Sequence, residues 1–324
     1  MRNMKICGRS EMKVRTEIKG RGIGMNKFVL RQSLLLFLAA VIWGVAFVAQ
    51  KEGMDYVGPF TYNGVRNILG GLVLLPCIVL LDRIRDRQSA EGGRHGGRQL
   101  LLGGLCCGII LFGASSFQQF GIQYTTVGKA GFITAMYILL VPLMGIFIHR
   151  RVGVKVWIGV VFAVCGLYLL CMKEGLHLDL GDSLVLACAL IFTLHILVID
   201  YFSPKVDGVR MACIQFWVCG ILSMICCFMF ETPDINSILA AWMPICYAGI
   251  MSSGVAYTLQ IVGQRDMNPT VASLIMSLES VVSAVAGFII LHQTMSGREL
   301  IGCCLMIVAI VLAQLPDRGK ENYG

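Results

Sequence analysis

Residues 211–230 read MACIQFWVCGILSMICCFMF, a run of 20 residues without a charged side chain. An α-helix rises about 1.5 Å per residue, so a helix of this length matches the hydrocarbon core of a bilayer, which is about 30 Å thick. Nine further apolar stretches of similar length lie on either side of this run. We therefore predict an all-α integral membrane protein of about ten transmembrane helices, at residues 33–49, 58–81, 100–120, 128–148, 154–172, 182–201, 211–230, 239–262, 267–291 and 297–315.

The composition supports a membrane protein and argues against a nucleic-acid partner. Hydrophobic residues make up 56% of the 324 positions and charged residues only 14%, and the mean hydropathy is +0.76. A soluble protein of this length needs more charge to cover its surface. The net charge is +8, but 7 basic residues lie in the first 24 positions and most others separate apolar runs. This pattern predicts contact with the lipid bilayer and no basic groove for nucleic acid.

Basic residues between the apolar stretches predict the orientation of the chain. With the N-terminus in the cytoplasm, 22 of the 27 Lys and Arg residues fall on the cytoplasmic side and 3 fall in outer loops. Since positive residues concentrate on the cytoplasmic side, we expect a multi-pass protein of the cell (inner) membrane with both termini cytoplasmic. A basic tail, residues 1–32, contains Met25 as a candidate translation start, and residues 316–324 form a short tail.

The chain also contains an internal repeat. Residues 107–159 align without a gap with the segment 143 positions further on, and residues 43–71 align with the segment 149 positions further on. These offsets divide the chain into two five-helix repeats, residues 33–172 and 182–315. Because five is an odd number, the second repeat begins on the opposite side of the membrane, so the two repeats are expected to be inverted. Inverted repeats with a site at their interface are a recurring transporter design.

Short motifs in both halves match a known family. They are IWG at 42–44 with Phe47, PFT at 59–61, GVR at 64–66, GKAGFIT at 128–134, VPL at 141–143, NPTVASL at 268–274 and SLE at 277–279. In their order and spacing the chain resembles an EamA-type member of the drug/metabolite transporter superfamily. The resemblance implies two inverted five-helix repeats around a central cavity and export of small metabolites or drugs. The proline that often follows the glutamate in this family is replaced here by Ser280.

Three charged residues within the predicted spans stand out, since a charge near the bilayer centre costs about 2.5–3.5 kcal/mol on insertion scales and therefore points to function. Glu279 is a candidate for binding a coupling proton or a cationic substrate group, or it forms a structural interhelical bond. Arg66 is a candidate for binding an anionic substrate group or for pairing with Glu279. Alternatively, its side chain extends toward the membrane surface or forms an ion pair that serves packing. Lys129, near the outer end of the fourth span, either snorkels to the headgroups or lies beside a ligand.

Uncharged residues in the spans are further candidates for the substrate path. His195 is either a hydrogen-bonded packing residue or a proton relay. Glutamines in spans usually face the bundle interior and bond across helices, while aromatic rings either line a cavity or anchor a span at the membrane interface. These candidates are Gln119, Gln118, Gln123, Gln215, Gln260, Trp43, Tyr137, Tyr257, Phe47 and Phe117.

An intramembrane enzyme and a channel are the two alternatives to a carrier. An intramembrane enzyme needs a nucleophile with its base, paired acids or a metal cluster, and the sequence has no HExxH, GxGD or Walker A motif. We expect no catalytic residue, cofactor or metal. A channel, or a facilitator without tight coupling, is the alternative, but channels tend to be oligomers with a repeated filter segment.

The prediction is therefore a secondary transporter that exports a small metabolite or drug-like solute by alternating access. A coupling proton is its candidate partner besides the solute and the bilayer. Spans one to four and six to nine are expected to line the path. The more purely apolar fifth and tenth spans are expected at the periphery or at a contact between two copies.

Overall fold

The computed structural model describes residues 27–86, 97–125, 127–147, 153–171, 179–290 and 296–314. Met25 lies outside the described residues. So do residues 1–26 of the predicted N-terminal tail and the whole predicted C-terminal tail, residues 316–324. In chain order the helices are α1 Lys27–Gly53, α2 Pro59–Asp86, α3 Gly97–Tyr124, α4 Val127–Thr134, α5 Tyr137–Phe147, α6 Val154–Cys171, α7 Leu180–Phe202, α8 Gly208–Phe230, α9 Ile235–Ala240, α10 Trp242–Cys246, a π-helical segment Tyr247–Tyr257, α11 Thr258–Gln264, α12 Pro269–Met276, α13 Leu278–Ile290 and α14 Gly297–Gln314.

The helices account for ten spans. Among the described residues, eight helical stretches are long and apolar enough to cross a membrane. The remaining two predicted spans are α6 and α14, which pack along each other. Large apolar side chains on the outer faces are exposed, as lipid contact requires, for example Phe228 and Val161. The prediction of an all-α protein with about ten membrane helices is confirmed.

The fourth and ninth spans are each broken near the middle. In the fourth span, α4 ends at Thr134 and α5 begins at Tyr137. In the ninth, α12 ends at Met276 and α13 begins at Leu278. At each break the backbone switches to tighter bonds between residues three apart, such as Ile138 to Ala135. The 143-residue repeat offset carries Thr134, the last residue of α4, onto Ser277, the residue between α12 and α13, so the two breaks lie within two residues of each other in the aligned repeats.

The eighth span is irregular in a different way. Its central 11 residues, Tyr247–Tyr257, form a π-helix between α10 and α11, whereas the third span, its counterpart in the first repeat, is one continuous α-helix. π-Helical segments are rare and occur mostly at functional sites. Here the wider turn places Ser252 and Tyr257 on the wall of the central cavity described below.

Glycines allow the two repeats to pack closely. On α3, a Cβ atom added at Gly104 would lie 2.6 Å from Cβ of Ile214, and one at Gly108 would lie 2.6 Å from Cβ of Val218. The Gly104-xxx-Gly108 spacing therefore serves a close contact between α3 and α8 within the chain. α3 also packs along α7, and the eighth span packs correspondingly on α1 and α2.

Candidate functional site

A central cavity, partly open to its surroundings, lies between the two repeats. Among the described residues, side chains from seven of the ten spans line its wall, and none comes from α6, α8 or α14. Two pairs of lining residues are related by the 149-residue repeat offset: Trp43 with Phe192, and Phe47 with Ile196. The full lining is Trp43, Phe47, Gln50, Arg66, Gln118, Thr134, Tyr137, Phe192, Ile196, Ser252, Tyr257, Gln260, Met276 and Glu279.

Arg66 supplies the positive charge of the cavity wall. It projects from α2, its residue is only 4% exposed, and its guanidinium carbon lies 5.6 Å from the ring centroid of Tyr62. Among the described residues its Nε atom has no hydrogen-bond partner. Buried polar atoms in folded proteins are nearly always hydrogen-bonded. A buried arginine beside a cavity, with an Nε that lacks an acceptor, therefore marks a place where a ligand can supply that acceptor.

Glu279 supplies the carboxyl group of the cavity wall. It is 5% exposed and sits in the first turn of α13, just after the break in the ninth span. The hydroxyl of Tyr137 donates a hydrogen bond to Glu279 Oε1 at 3.0 Å. Tyr137 is the first residue of α5, just after the break in the fourth span. The two broken spans, one from each repeat, are therefore joined by this hydrogen bond on the cavity wall.

The two charges share the cavity but do not pair. The ion pairs of the described residues include Arg210–Asp82 and Arg265–Asp266, both between partly exposed side chains, and none joins Arg66 to Glu279. The pairing of Arg66 with Glu279 considered from the sequence is thus absent from this conformation. Tyr257 lies on the same cavity wall as both groups.

Aromatic rings line much of the space between the charges. Trp43 and Tyr257 meet edge to face with ring centroids 4.8 Å apart, and the ring of Tyr257 also contacts Phe216 and His195. Trp43 Nε1 is buried and has no partner among the described residues. The wall therefore offers flat apolar surfaces and one unpaired indole donor, an arrangement suited to an amphipathic solute.

Several residues singled out from the sequence lie away from the cavity. His195 is fully buried behind the wall, where its Nε2 is 3.2 Å from Gln215 Oε1. Gln119 turns toward α1 and donates to the backbone oxygen of Gln50 at 3.2 Å. Phe117 faces outward and is 40% exposed. Lys129 lies in α4, and its side chain falls outside the described part of the structure.

The cavity also contains residues that the sequence did not single out. Gln50 is one position beyond the predicted end of the first span. A polar side chain at that position was the only feature of the sequence that could have indicated a place in the cavity wall. Thr134 and Ser252 are small hydroxyl residues in apolar runs. Residues of this type occur throughout membrane helices, so the sequence did not indicate that these two face the cavity. Thr134 accepts a hydrogen bond from Gln118 Nε2 at 3.4 Å. Within the described ranges, no group of three or more His, Cys, Asp or Glu side chains is arranged to hold a metal.

Comparison with known families gives two matches along the chain. The EamA-like transporter family matches residues 30–172 and again residues 179–315. Together the matches cover most of the chain, and each covers one five-helix half. They confirm the resemblance found from the motifs and show two copies of the family's repeat.

Individual relatives are similar over nearly their whole length. An uncharacterized transporter of Archaeoglobus fulgidus is 29% identical over 300 residues, which cover 92% of this chain and 90% of that protein. The uncharacterized transporter YvbV of Bacillus subtilis is 25% identical, with 90% and 94% covered. The uncharacterized inner membrane transporter YedA of Escherichia coli is 21% identical, with 86% and 89% covered.

A solved crystal structure of another protein shares the fold. It superposes with a TM-score of 0.70 at 20% sequence identity, covering 88% of this chain and 98% of the other. At this level of identity the similarity shows only that the two proteins share an arrangement of helices.

Proposed function

Because this chain belongs to the EamA-like transporter family, we propose that it is a secondary carrier that exports a small metabolite or drug-like solute by alternating access. The observation that carries the proposal is the cavity between the repeats, whose wall contains one buried arginine, Arg66, and one buried carboxyl group, that of Glu279. Intramembrane charges that face a cavity typically mark a substrate or ion pathway. Their placement on opposite repeats fits a site that both halves share.

Alternating access follows from the repeat design. Two five-span repeats in one chain insert in opposite orientations, so exchanging their conformations converts an inward-open cavity into an outward-open one. The breaks after Thr134 and Met276 divide the fourth and ninth spans beside the cavity. Discontinuous helices of this kind typically form the substrate and coupling-ion sites of transporters. Both termini are proposed to lie in the cytoplasm, in agreement with the distribution of basic residues.

Glu279 is the proposed coupling site. A carboxyl group can bind and release a proton, and its Tyr137 partner lies on the other repeat. A rearrangement that separates the fourth and ninth spans breaks this bond and changes the surroundings of the carboxyl. Proton binding at Glu279 is thereby linked to the position of the two repeats.

The experiment that tests the carrier function is counterflow in proteoliposomes that contain the purified protein. A carrier exchanges labelled solute against an unlabelled pool inside the vesicle, and the rate saturates with solute concentration. Protein-free vesicles give the background. Single-channel currents in a planar bilayer, together with flux that does not saturate, would overturn the carrier proposal in favour of a channel or facilitator.

A further inference from the structure

Two adjacent residues of α13 bond to the fourth span on both sides of its break. Tyr137, which begins α5, donates its hydroxyl to Glu279 Oε1 at 3.0 Å. The next residue of α13, Ser280, donates its own hydroxyl to the backbone oxygen of Gly131 in α4 at 3.1 Å. We propose that Ser280 is a positioning residue for Glu279, because its bond to α4 fixes the start of α13 and keeps the carboxyl against Tyr137. The inference rests on the carrier function proposed above, in which Glu279 is the coupling site.

The oxygen that Ser280 binds belongs to the last turn of α4. The same oxygen of Gly131 accepts the backbone N–H of Ala135 at 3.0 Å, and Ala135 is the first residue after α4 ends. A carbonyl oxygen has two acceptor positions, so the Ser280 hydroxyl adds to this bond without replacing it. The side chain of Ser280 therefore fastens α13 to the end of α4, directly before the break in the fourth span.

Ser280 is held by its backbone as well as by its side chain. Its N–H donates to the backbone oxygen of Ser277 at 3.2 Å, across the break in the ninth span. The residue is only 2% exposed, so water does not compete for its hydroxyl. A buried hydroxyl without a partner is costly, and a bond in such surroundings is therefore kept. These contacts give Ser280 the fixed position that an anchor for the neighbouring Glu279 requires.

The repeat relates the two hydroxyl donors to each other. The 143-residue offset carries Tyr137 onto Ser280, and each of the two hydroxyls bonds to the broken span of the other repeat. Their acceptors differ, because Tyr137 bonds to a carboxyl group and Ser280 to a backbone oxygen. A backbone carbonyl does not titrate near neutral pH, whereas a carboxyl can. The Ser280 bond therefore stays in place when Glu279 binds or releases a proton.

Two other hydroxyls of the ninth span bond within that span. Ser273 donates to the backbone oxygen of Thr270 at 2.9 Å, and Ser277 donates to that of Leu274 at 2.8 Å. Such local bonds of serine stabilise or bend their own helix, and they do not fix one span against another. Ser280, by contrast, reaches across to the fourth span, which makes its hydroxyl suited to set the distance between the two spans beside Glu279.

The inference is tested by the reaction of Glu279 with dicyclohexylcarbodiimide, an apolar reagent that modifies carboxyl groups within membranes. The purified full chain in detergent is treated with the reagent, and the modified fraction of the peptide that contains Glu279 is followed by mass spectrometry. Glu279→Gln gives the background. Tyr137→Phe removes the hydroxyl that engages the carboxyl and is expected to raise the rate about fivefold to tenfold, the factor that one hydrogen bond contributes.

Substitutions of Ser280 are expected to change this rate although its hydroxyl bonds elsewhere. Ser280→Ala is expected to raise the rate toward that of Tyr137→Phe, because the carboxyl is no longer held against the tyrosine. Ser280→Thr retains a hydroxyl and is expected to react more slowly than Ser280→Ala. Ser283→Ala changes a serine one turn further along α13. This variant is the matched control and is expected to react as the wild type does.

A double-variant cycle separates positioning from a general loosening of the fold. If Ser280 acts through the bond between Tyr137 and Glu279, adding Ser280→Ala to Tyr137→Phe produces no further increase in rate. Independent effects would instead multiply in the double variant. Thermal midpoints show whether each variant is folded. Ser280→Cys keeps the size of the side chain with a weaker donor, and it replaces Ser280→Ala in the cycle if the alanine variant does not fold.

Two results would overturn the positioning role. One is a rate for Ser280→Ala equal to that of the wild type, and the other is a double variant in which the two effects multiply. Neither result bears on the carrier function, which saturable counterflow in proteoliposomes tests separately. Channel-like flux would refute the carrier function itself and leave the reaction rates of Glu279 unaffected, so the two failures are distinguishable.

Discussion

The carboxylate of Glu231 caps the N-terminus of α2, where Thr61 is the third residue. Oε2 accepts hydrogen bonds from the Thr61 backbone nitrogen at 2.8 Å and from its hydroxyl at 2.6 Å, while Oε1 accepts one from the Phe60 nitrogen at 2.8 Å. In the other repeat, Asp207 caps α8 locally by accepting from Val209 and Arg210. The 149-residue offset carries Asp207 onto Gly58, which has no side chain, so a residue of the second repeat supplies the missing cap.

We predict that Glu231→Ala destabilises the protein by about 1–2 kcal/mol, the range measured for loss of an N-terminal helix cap. The apparent melting temperature in detergent measures the effect. Asp82→Asn is the matched control, because the repeat offset relates Asp82 to Glu231 but its ion pair with Arg210 at 2.7 Å is solvent-exposed. Exposed pairs contribute less than about 1 kcal/mol, so the control is expected to melt nearly as the wild type does.

A second substitution tests the cap directly. A Cβ atom at Gly58 would collide with the Glu231 carboxylate, so Gly58→Asp alone is expected to destabilise. In the Glu231→Ala background the collision is removed and the new aspartate occupies the position that Asp207 has in the other repeat. The double variant is therefore expected to melt at a higher temperature than Glu231→Ala alone. Additive losses in the double variant would contradict the capping role.

Replacement of Glu279 by glutamine is predicted to flatten the pH dependence of counterflow. An amide keeps the size of the side chain but cannot bind a proton, so coupling through this position is lost. The rate is measured across a pH series in proteoliposomes. Glu52→Gln changes an exposed carboxyl at the end of α1 and is expected to retain the wild-type profile. An unchanged profile in folded Glu279→Gln would exclude the proton role.

Close packing of α3 against α8 predicts that Gly108→Ala is destabilising. The added methyl would lie 2.6 Å from Cβ of Val218 and 2.9 Å from the backbone oxygen of Gln215, and overpacking of this kind costs about 1–3 kcal/mol. Gly113→Ala on the same helix is the control. Its methyl meets only the Ile191 side chain at 3.8 Å, so it is expected to be neutral or stabilising by up to about 1 kcal/mol. Thermal midpoints of the two variants decide the comparison.

The ring of Tyr257 is predicted to hold the cavity wall together. It contacts Trp43, His195 and Phe216 at centroid distances of 4.8, 6.0 and 5.7 Å. Tyr257→Ala removes these contacts and is expected to cost about 3–5 kcal/mol, as for other buried aromatics. Tyr257→Phe retains the ring and is expected to stay within about 1 kcal/mol of the wild type, since only a hydroxyl is lost. Equal melting of both variants would contradict this role.

The sequence alone determined the membrane class, the number of spans and the two repeats. Span length and hydropathy are local properties that the bilayer dictates, because every backbone polar group in lipid must be bonded within a helix. The same reasoning identified Glu279 and Arg66, since a charge within a span stands out from its neighbours. Their presence on one cavity wall without an ion pair could not be read from the sequence, because it depends on how the α2 and α13 side chains are directed.

Only the tertiary structure decided which side chains face the cavity. Gln118 and Gln119 are neighbours of the same type, yet Gln118 lines the cavity while Gln119 bonds to the backbone of Gln50. Successive residues of an α-helix point about 100° apart, so the rotation of each helix against its neighbours separates the two. That rotation is set by contacts between residues far apart in the chain, such as Gly108 on α3 against Val218 on α8, and a hydropathy pattern contains no record of them.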